Sequence, residues 1–600
     1  MKNKKWSLLL MLLAVLFVLA ACSSKDEETE KELAFPLKVD NEGKPITGGT
    51  LMVAMQKDEP FQGIFSYTLY EDAYDDYLMQ FASNKIFATD GNFLFTDKGI
   101  ASYEITSQAT KKDPGAKNIV SVKIRDGVKW SDGAPLKIED LMLPYEIIGH
   151  GDYTGVRYDG DFQNIIGAEE YHAGAADTIS GLVKVDESTL QLHLKEISPG
   201  LASGGDGILY YAEPSHIIGD IPVTELLEND AIRKNPVTLG AFVIDKVVAG
   251  ETVQYKANGN YWKGKPKLES VIVKVVPSSS IAKALESGEY DLTLAFGSTK
   301  YVEVENLTNI DILARPELYY SYLGFKLGKW DTATKSVATD LEGSKMGDVN
   351  LRKAMAYALN VEEVTEVFYD GLRERANAIV PPVFSSFHDS SLEGFNYDPE
   401  KANELLDKAG YKDVDDDGFR EDKNGKPLEI KLATMSGDDV AEQIAAFWLQ
   451  NWEEVGLKVT YTDGRTIEFN SFYDKVQADD PKIDIFMAAW GVATNPSPSG
   501  VYGNVAQYNF SRFTSDELQT ALDNIDSAKS FDADYRAEEF AKFEKIIAEN
   551  VPVVPMMFRL ELTAVNKRVK SYTIDYADVD FDWNKVELVA DAPIKQQPKK

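Results

Sequence analysis

Val440-Ala441-Glu442-Gln443-Ile444-Ala445-Ala446-Phe447-Trp448-Leu449-Gln450-Asn451-Trp452-Glu453-Glu454-Val455-Gly456-Leu457-Lys458-Val459-Thr460-Tyr461 contains both halves of the fold argument. Val440, Ile444, Phe447, Trp448, Trp452 and Val455 recur at three- and four-residue intervals, which lines them on one face of a helix. Gly456 ends the helix, because glycine adopts the left-handed conformation that closes a helical turn. Leu457 to Tyr461 then alternates apolar and polar residues, the period of a half-buried strand. A long amphipathic helix that turns directly into a strand is the unit of an α/β architecture.

The same grammar extends in both directions. Asp398-Pro399 starts a helix, with Asp capping the free amides and Pro fitting the first turn. Ala402, Leu405, Leu406 and Ala409 follow at helical spacing, and Gly410 stops it. Asn350 to Leu359 reads as a third helix, with Leu351, Met355, Ala358 and Leu359 inward. Thr189 to Leu194 and Val271 to Val276 alternate as strands, and the first strand begins at Gly48-Gly49-Thr50-Leu51-Met52-Val53-Ala54. The 600 residues carry no fixed-period repeat. Their number corresponds to about four units of roughly 150 residues.

The first residues have the form of an export signal. Lys2, Lys4 and Lys5 precede an apolar run from Trp6 to Val18, and Leu19-Ala20-Ala21-Cys22 follows. A short apolar core between basic and small residues is a secretory signal peptide, and it falls short of the ~20 apolar residues of a membrane span. The cysteine after Leu-Ala-Ala resembles a bacterial lipobox, which makes 1–21 the signal and Cys22 the lipidated first mature residue. A diacylglycerol anchor supplies the two acyl chains that stable anchoring takes. The alternative is an ordinary signal peptide that happens to contain a cysteine. Cys22 is the only cysteine, so disulfides are excluded even though export would permit them. Residues 22–45 are mostly polar, with Lys25 to Glu32 almost wholly charged, and read as a flexible tether. The body's expected place is the extracellular face of the cell membrane. The net charge of −34 argues against nucleic acid and against electrostatic docking on anionic lipid.

Few motifs for chemistry survive inspection. The five histidines show no metal-ligand spacing, there is no Gly-x-Ser-x-Gly elbow, and the cysteine is taken by the anchor. An enzyme is therefore not expected. Gly259 to Lys265 has P-loop spacing, but Pro266 stands where Ser or Thr should hold magnesium, so the segment reads as a structural loop. Asp413, Asp415 and Asp417, with Gly418 at the turn, match the first half of an EF-hand calcium loop. Asn424 replaces the bidentate Glu at the twelfth position, so an Asx-rich turn and a weak structural calcium site both remain open. No other metal or cofactor is expected.

Five stretches together resemble one family. They are Arg125-Asp126-Gly127-Val128-Lys129-Trp130-Ser131-Asp132-Gly133 with Asp140 downstream, Asn260 to Leu268, Ala284 to Asp291, Leu351 to Leu359, and Asp398 to Ala402 with Leu405-Leu406. Their order is similar to that of the family 5 bacterial solute-binding proteins, the peptide-binding components of ABC importers. The tail, including Asn566-Lys567-Arg568-Val569, resembles the oligopeptide-binding lipoproteins of lactic-acid and related Gram-positive bacteria. The resemblance implies a two-lobed periplasmic-binding-protein-like fold (class II, hinge-joined) with an extra domain in the first lobe. Mapped here, the first lobe takes 46–92, 206–318 and 559–600, the extra domain 93–205, and the second lobe 319–558. The hinge crossings fall near Tyr322-Leu323-Gly324-Phe325 and Phe558-Arg559.

The resemblance also implies a function: a monomer anchored by lipid captures oligopeptides between its lobes and delivers them to the permease subunits of an ABC importer. The family's ligand strand matches Trp490, Gly491, Val492 and Ala493. The opposing loop matches Glu59 to Phe65, with Phe61 and Phe65 as ring contacts, while Tyr320, Tyr508 and Arg559 are candidates for the cleft wall. One departure matters. Short-peptide binders place an Asp a few residues after this Trp to neutralise the peptide ammonium, and Val492 to Pro496 contains no acid. Longer peptides are therefore expected as ligands. The alternatives are a same-fold binder of nickel, haem or an oligosaccharide, and a selective peptide-pheromone receptor.

Overall fold

The computed structural model describes residues 35–600 except 109–116, 438–439 and 599–600. Cys22 and the signal segment lie outside the described residues. From one edge to the other, a mixed sheet runs Lys458–Tyr461, Glu429–Ala433, Ile485–Gly491, Tyr319–Phe325, Val553–Asn566, Leu292–Leu294, Thr50–Gln56, Ser270–Val276, Thr252–Ala257, Phe242–Val248. Val553–Asn566 belongs to both halves. Its first residues pair with Tyr319–Phe325, and Leu560 to Asn566 pair with Ile310–Pro316.

Two apolar cores flank this shared strand and define the two lobes of an α/β fold. One contains Leu51, Val53, Phe81, Trp130, Val273 and Leu588; the other contains Leu323, Phe325, Leu351, Trp448, Trp452 and Phe486. The stretch Tyr322 to Phe325, near which a hinge crossing is expected, lies inside the strand Tyr319–Phe325. Those residues are buried and pair on both sides, with Ile485 to Ala488 and with Val553 to Pro555. The chain changes lobes one step earlier, at Glu317-Leu318, where the strand Ile310–Pro316 gives way to Tyr319–Phe325. Ala101–Ser107, Asn118–Ile124, Thr189–Leu194 and Leu182–Lys184 form a separate four-stranded antiparallel sheet. Its core is continuous with that of the first lobe.

The tether assignment is also corrected at its C-terminal end. Lys38–Asp40 forms a strand antiparallel to Ser571–Thr573, with Val39 buried, so order begins before residue 45. The charge run that suggested a spacer stops at Glu32, outside the described residues.

The five motifs prove to be clamps of the frame. Trp130 Nε1 donates to Asp140 Oδ2 (2.8 Å), which also accepts from the Lys137 amide, while Asp140 Oδ1 accepts from the Ser215 amide and hydroxyl. This buried carboxylate fixes the start of the helix Ile138–Gly149 and ties it to Ser215. Asn584 Nδ2 donates to the Lys263 carbonyl, and Tyr261 donates to Asp582, which pins the loop with P-loop spacing to the C-terminal segment. Arg352 donates to the carbonyls of Met346, Asn550 and Val551, satisfying the end of the helix Ala533–Asn550. Asp398 caps Pro399–Ala409 by accepting from the Lys401 amide, and Gly410 closes that helix at φ +95°. Asp291 pairs with Arg568, joining two motifs 277 residues apart.

Candidate functional site

The strand Glu429–Ala433 stands between Lys458–Tyr461 and Ile485–Gly491, and the C-terminal end of Ile485–Gly491 is the strand singled out from sequence. One edge of that strand is covered from end to end by Tyr319–Phe325. The other edge pairs only at Ile485 and Phe486, with Leu432 and Ala433. From Met487 onward no described strand continues that ladder. Peptide directions follow from two bonds. The Val492 amide donates to Leu318 O (2.8 Å), toward the covered side, whereas Ala489 O accepts from the Tyr473 hydroxyl on the other side. Backbone groups alternate along a strand, so Gly491 presents its groups outward. Space beside Gly491 is open, with nothing within 4 Å of where a Cβ would stand.

Each face of this strand end has a cavity. Tyr320 pairs with Trp490 and both side chains share one face, over a cavity of about 200 Å³ that is also lined by Ile379, Phe384, Val492 and Val501. Tyr319, Ser321 and Met487 belong to the opposite face, over a cavity of about 290 Å³ lined further by Arg373, Trp448 and Arg559. Both are below the ~300–1,000 Å³ of a typical small-molecule pocket and suit single side chains. Trp490 is fixed in place by stacking on Phe510 (5.6 Å, 22°) with Tyr508 edge-on at 5.5 Å. Tyr320 donates to or accepts from the Tyr502 hydroxyl at 3.0 Å. Burial raises the pKa of both phenols, which keeps them neutral hydrogen-bonding groups. The Arg559 guanidinium lies 3.6 Å over the Tyr319 ring and pairs with Glu317 at the lobe crossing.

The structure therefore gathers Trp490, Gly491, Val492, Ala493 and Tyr320 around one cavity and places Arg559 on the other. Tyr508 is 53% exposed and lines neither cavity, touching the site only through its edge-on contact with Trp490. Phe61 and Phe65, expected as ligand-binding residues, line neither of these cavities. Both are buried in the core of the first lobe, because the loop folds back so that the amides of Gly63 and Ile64 donate to the buried Asp75 carboxylate. Sequence reading missed Phe384, Tyr473 and Arg373. Phe384 lies in a loop, Arg373 opens the three-residue strand Arg373–Arg375, and Tyr473 sits in the helix Phe469–Gln477, which the sequence reading did not single out.

The acidic loop is also rearranged. Asp413, Asp415 and Glu421 bring carboxylate oxygens within 4.8 Å of one another, a set that could hold a cation. Asp417 is not part of it, and its carboxylate accepts from the Phe419 amide within the turn. Glu421 takes its place, accepting from the Val414 amide.

Comparison with known proteins gives a consistent picture. Residues 109–512 match the model of the bacterial extracellular solute-binding proteins, family 5. The chain is 34% identical over 512 residues to the oligopeptide-binding protein OppA of Lactococcus lactis subsp. lactis, covering 84% of this chain and 83% of that protein. It is 25% identical over 590 residues to the oligopeptide-binding protein AppA of Bacillus subtilis, covering 95% and 97%. Lactococcal OppA, solved with an endogenous peptide in the closed conformation, superposes with a TM-score of 0.74 at 33% identity, covering 90% of this chain and 100% of that one.

Proposed function

Because the chain belongs to the family 5 bacterial extracellular solute-binding proteins, we propose that it captures oligopeptides between its lobes and hands them intact to an ABC importer. The observation that carries this reading is the uncovered strand edge beyond Phe486 with a cavity on each face. An extended peptide laid along Met487 to Ala493 completes the ladder with its main chain. Its alternate side chains then point to opposite faces of the sheet, one toward Trp490 and the next toward Met487. Main-chain pairing is indifferent to sequence, and its bonds exist only while the ligand is present. Closure follows because the closed state alone touches the ligand from both lobes. We assign 46–92, 206–318 and 559–600 to the first lobe, 93–205 to the extra domain and 319–558 to the second lobe.

Native mass spectrometry of protein purified from rich medium tests the reading. A spread of intact peptide masses is expected; a single sugar, porphyrin or metal complex would refute it, and cleaved fragments would indicate a peptidase. A length series refines it. With no acid in Val492 to Pro496 to hold a peptide ammonium, peptides of about five residues and longer should bind at least tenfold more tightly than di- and tripeptides. Each added main-chain bond contributes about 1 kcal/mol. Titration calorimetry showing tight binding confined to dipeptides would count against this.

We further propose that the protein works as a monomer at the outer face of the cell membrane, held by lipid on Cys22. The Leu19-Ala20-Ala21-Cys22 sequence supports this. A Cys22→Ser variant expressed in a Gram-positive host should move from the detergent phase to the aqueous phase in phase partitioning. Unchanged partitioning would refute the anchor.

A further inference from the structure

The hairpin Ala88–Thr89/Phe95–Thr96 is rooted in the first lobe, where Phe87 is core and Phe95 stacks on it at 4.5 Å. Its tip is a rigid turn. The Asp90 carboxylate accepts from the amides of Asn92 and Leu94, and the Phe93 amide donates to Asp90 O. This turn holds Phe93 at φ +62°, a left-handed conformation that is costly for a bulky side chain and persists only where surroundings enforce it. Phe93 is nevertheless only 5% exposed, and it is buried in the other lobe's core. Its ring lies between Tyr576 (4.9 Å) and Phe384 (5.6 Å). Phe384 is a wall of the cavity shared with Trp490 and Tyr320.

A second bridge joins the same two bodies just beyond the ligand strand. Thr494 Oγ1 donates to Ser203 O (2.9 Å), and Gly200 lies so close that an added Cβ would stand 2.6 Å from Asn495 Nδ2. Ser203 and Gly200 follow the strand Thr189–Leu194 of the extra sheet, while Thr494 and Asn495 continue directly from Trp490 to Ala493. The lobes thus meet on the two sides of one cavity.

We propose that Phe93 is a positioning residue for ligand retention: a plug from the first lobe that seats against Phe384 and locks the lobes shut over the cavity beside Trp490. The proposal rests on the peptide-capture reading. A side chain filling the cavity backs Phe384 from within, so plug and ligand hold the same wall from opposite sides. An empty cavity leaves Phe384 free to yield, and the plug releases. The left-handed turn presents the ring without a flexible arm, so little ordering is lost when it docks.

The test compares full-length wild type with Phe93→Leu, Phe93→Ala and Phe93→Gly. Dissociation and association of a fluorescein-labelled nonapeptide are followed by stopped flow, and lobe opening of the peptide-saturated proteins by small-angle X-ray scattering. Ala and Gly should speed dissociation at least tenfold, change association less than twofold, and increase the radius of gyration. Leu, which keeps an apolar plug, should stay within about threefold of wild type. Gly also relieves the left-handed strain, so a merely structural role predicts recovered thermal stability with normal release. Release rates within twofold of wild type for both Ala and Gly would overturn the plug, whatever the melting temperature. Wild type that binds no peptide would overturn the capture reading and the plug with it, whereas normal wild-type binding with unaltered variants overturns the plug alone.

Discussion

Arg568→Met should cost about 3–5 kcal/mol of stability, the penalty for leaving one member of a buried ion pair alone. Arg568 and Asp291 are both almost wholly buried. The guanidinium binds Asp291 in a bidentate fashion and also donates to Thr50 O (2.9 Å) and Ala590 O (3.1 Å). Asp291 additionally accepts from the Met52 amide (2.8 Å). One side chain therefore ties together the strand Thr50–Gln56, the segment after helix Ile281–Glu286, the end of Val553–Asn566 and the tail. Methionine fills much of the volume but leaves a buried carboxylate uncompensated. Burial already pushes the Asp291 pKa up against the pull of Arg568. Without the arginine the carboxyl must take up a proton or drag water in. Urea unfolding should show the loss as a lower midpoint. The double variant Arg568→Met/Asp291→Leu should recover a large share, because two apolar groups leave no stranded charge. A loss below about 1 kcal/mol for the single variant would refute the argument.

Gly491→Pro should weaken oligopeptide binding by at least thirtyfold while leaving the melting temperature nearly unchanged. Proline lacks an amide hydrogen and is tolerated in a sheet where that amide faces away from the ladder. The Val492 amide points to Leu318 O, so the Gly491 amide points the other way. The substitution removes no internal ladder bond. It removes a donor that a paired peptide would use, and the ring occupies space that is open beside Gly491. Loss of that main-chain bond and of the neighbouring one that the ring displaces, at about 1 kcal/mol each, corresponds to roughly thirtyfold in affinity, since 1.4 kcal/mol is tenfold. Calorimetric titration against an unlabelled nonapeptide measures it. Undiminished affinity would mean that ligand does not pair along this edge. A collapse in melting temperature would mean that the amide is needed inside the protein.

Both predictions concern residues that the sequence marked, though for different reasons. Asp291 and Arg568 stand out in motifs, yet nothing local says that they meet. Trp490 to Ala493 is marked by resemblance, and the structure supplies what resemblance could not: which edge is bare and which way each amide points. Phe61 and Phe65 illustrate the limit. An aromatic in a loop reads equally well as a ligand contact or as core, and the inward fold of this loop onto the buried Asp75 carboxylate is not visible from its local sequence. Glu421 illustrates it again, entering the acidic cluster from outside the Asp413-Asp415-Asp417 spacing.

Local chemistry sufficed for what is local. The helix Ala441–Glu454, its glycine stop and the strand after it, the Asp398 cap and the alternation of Thr189–Leu194 follow from spacing and backbone preference within a few residues. The α/β class follows from them. The lobe crossing at Glu317-Leu318, the bare edge beyond Phe486, the two cavities and the insertion of Phe93 beside Phe384 come only from tertiary structure. Each depends on which distant segments compete for the same surface. That competition is settled by burial and hydrogen-bond satisfaction summed over the whole chain, a quantity no window of sequence contains.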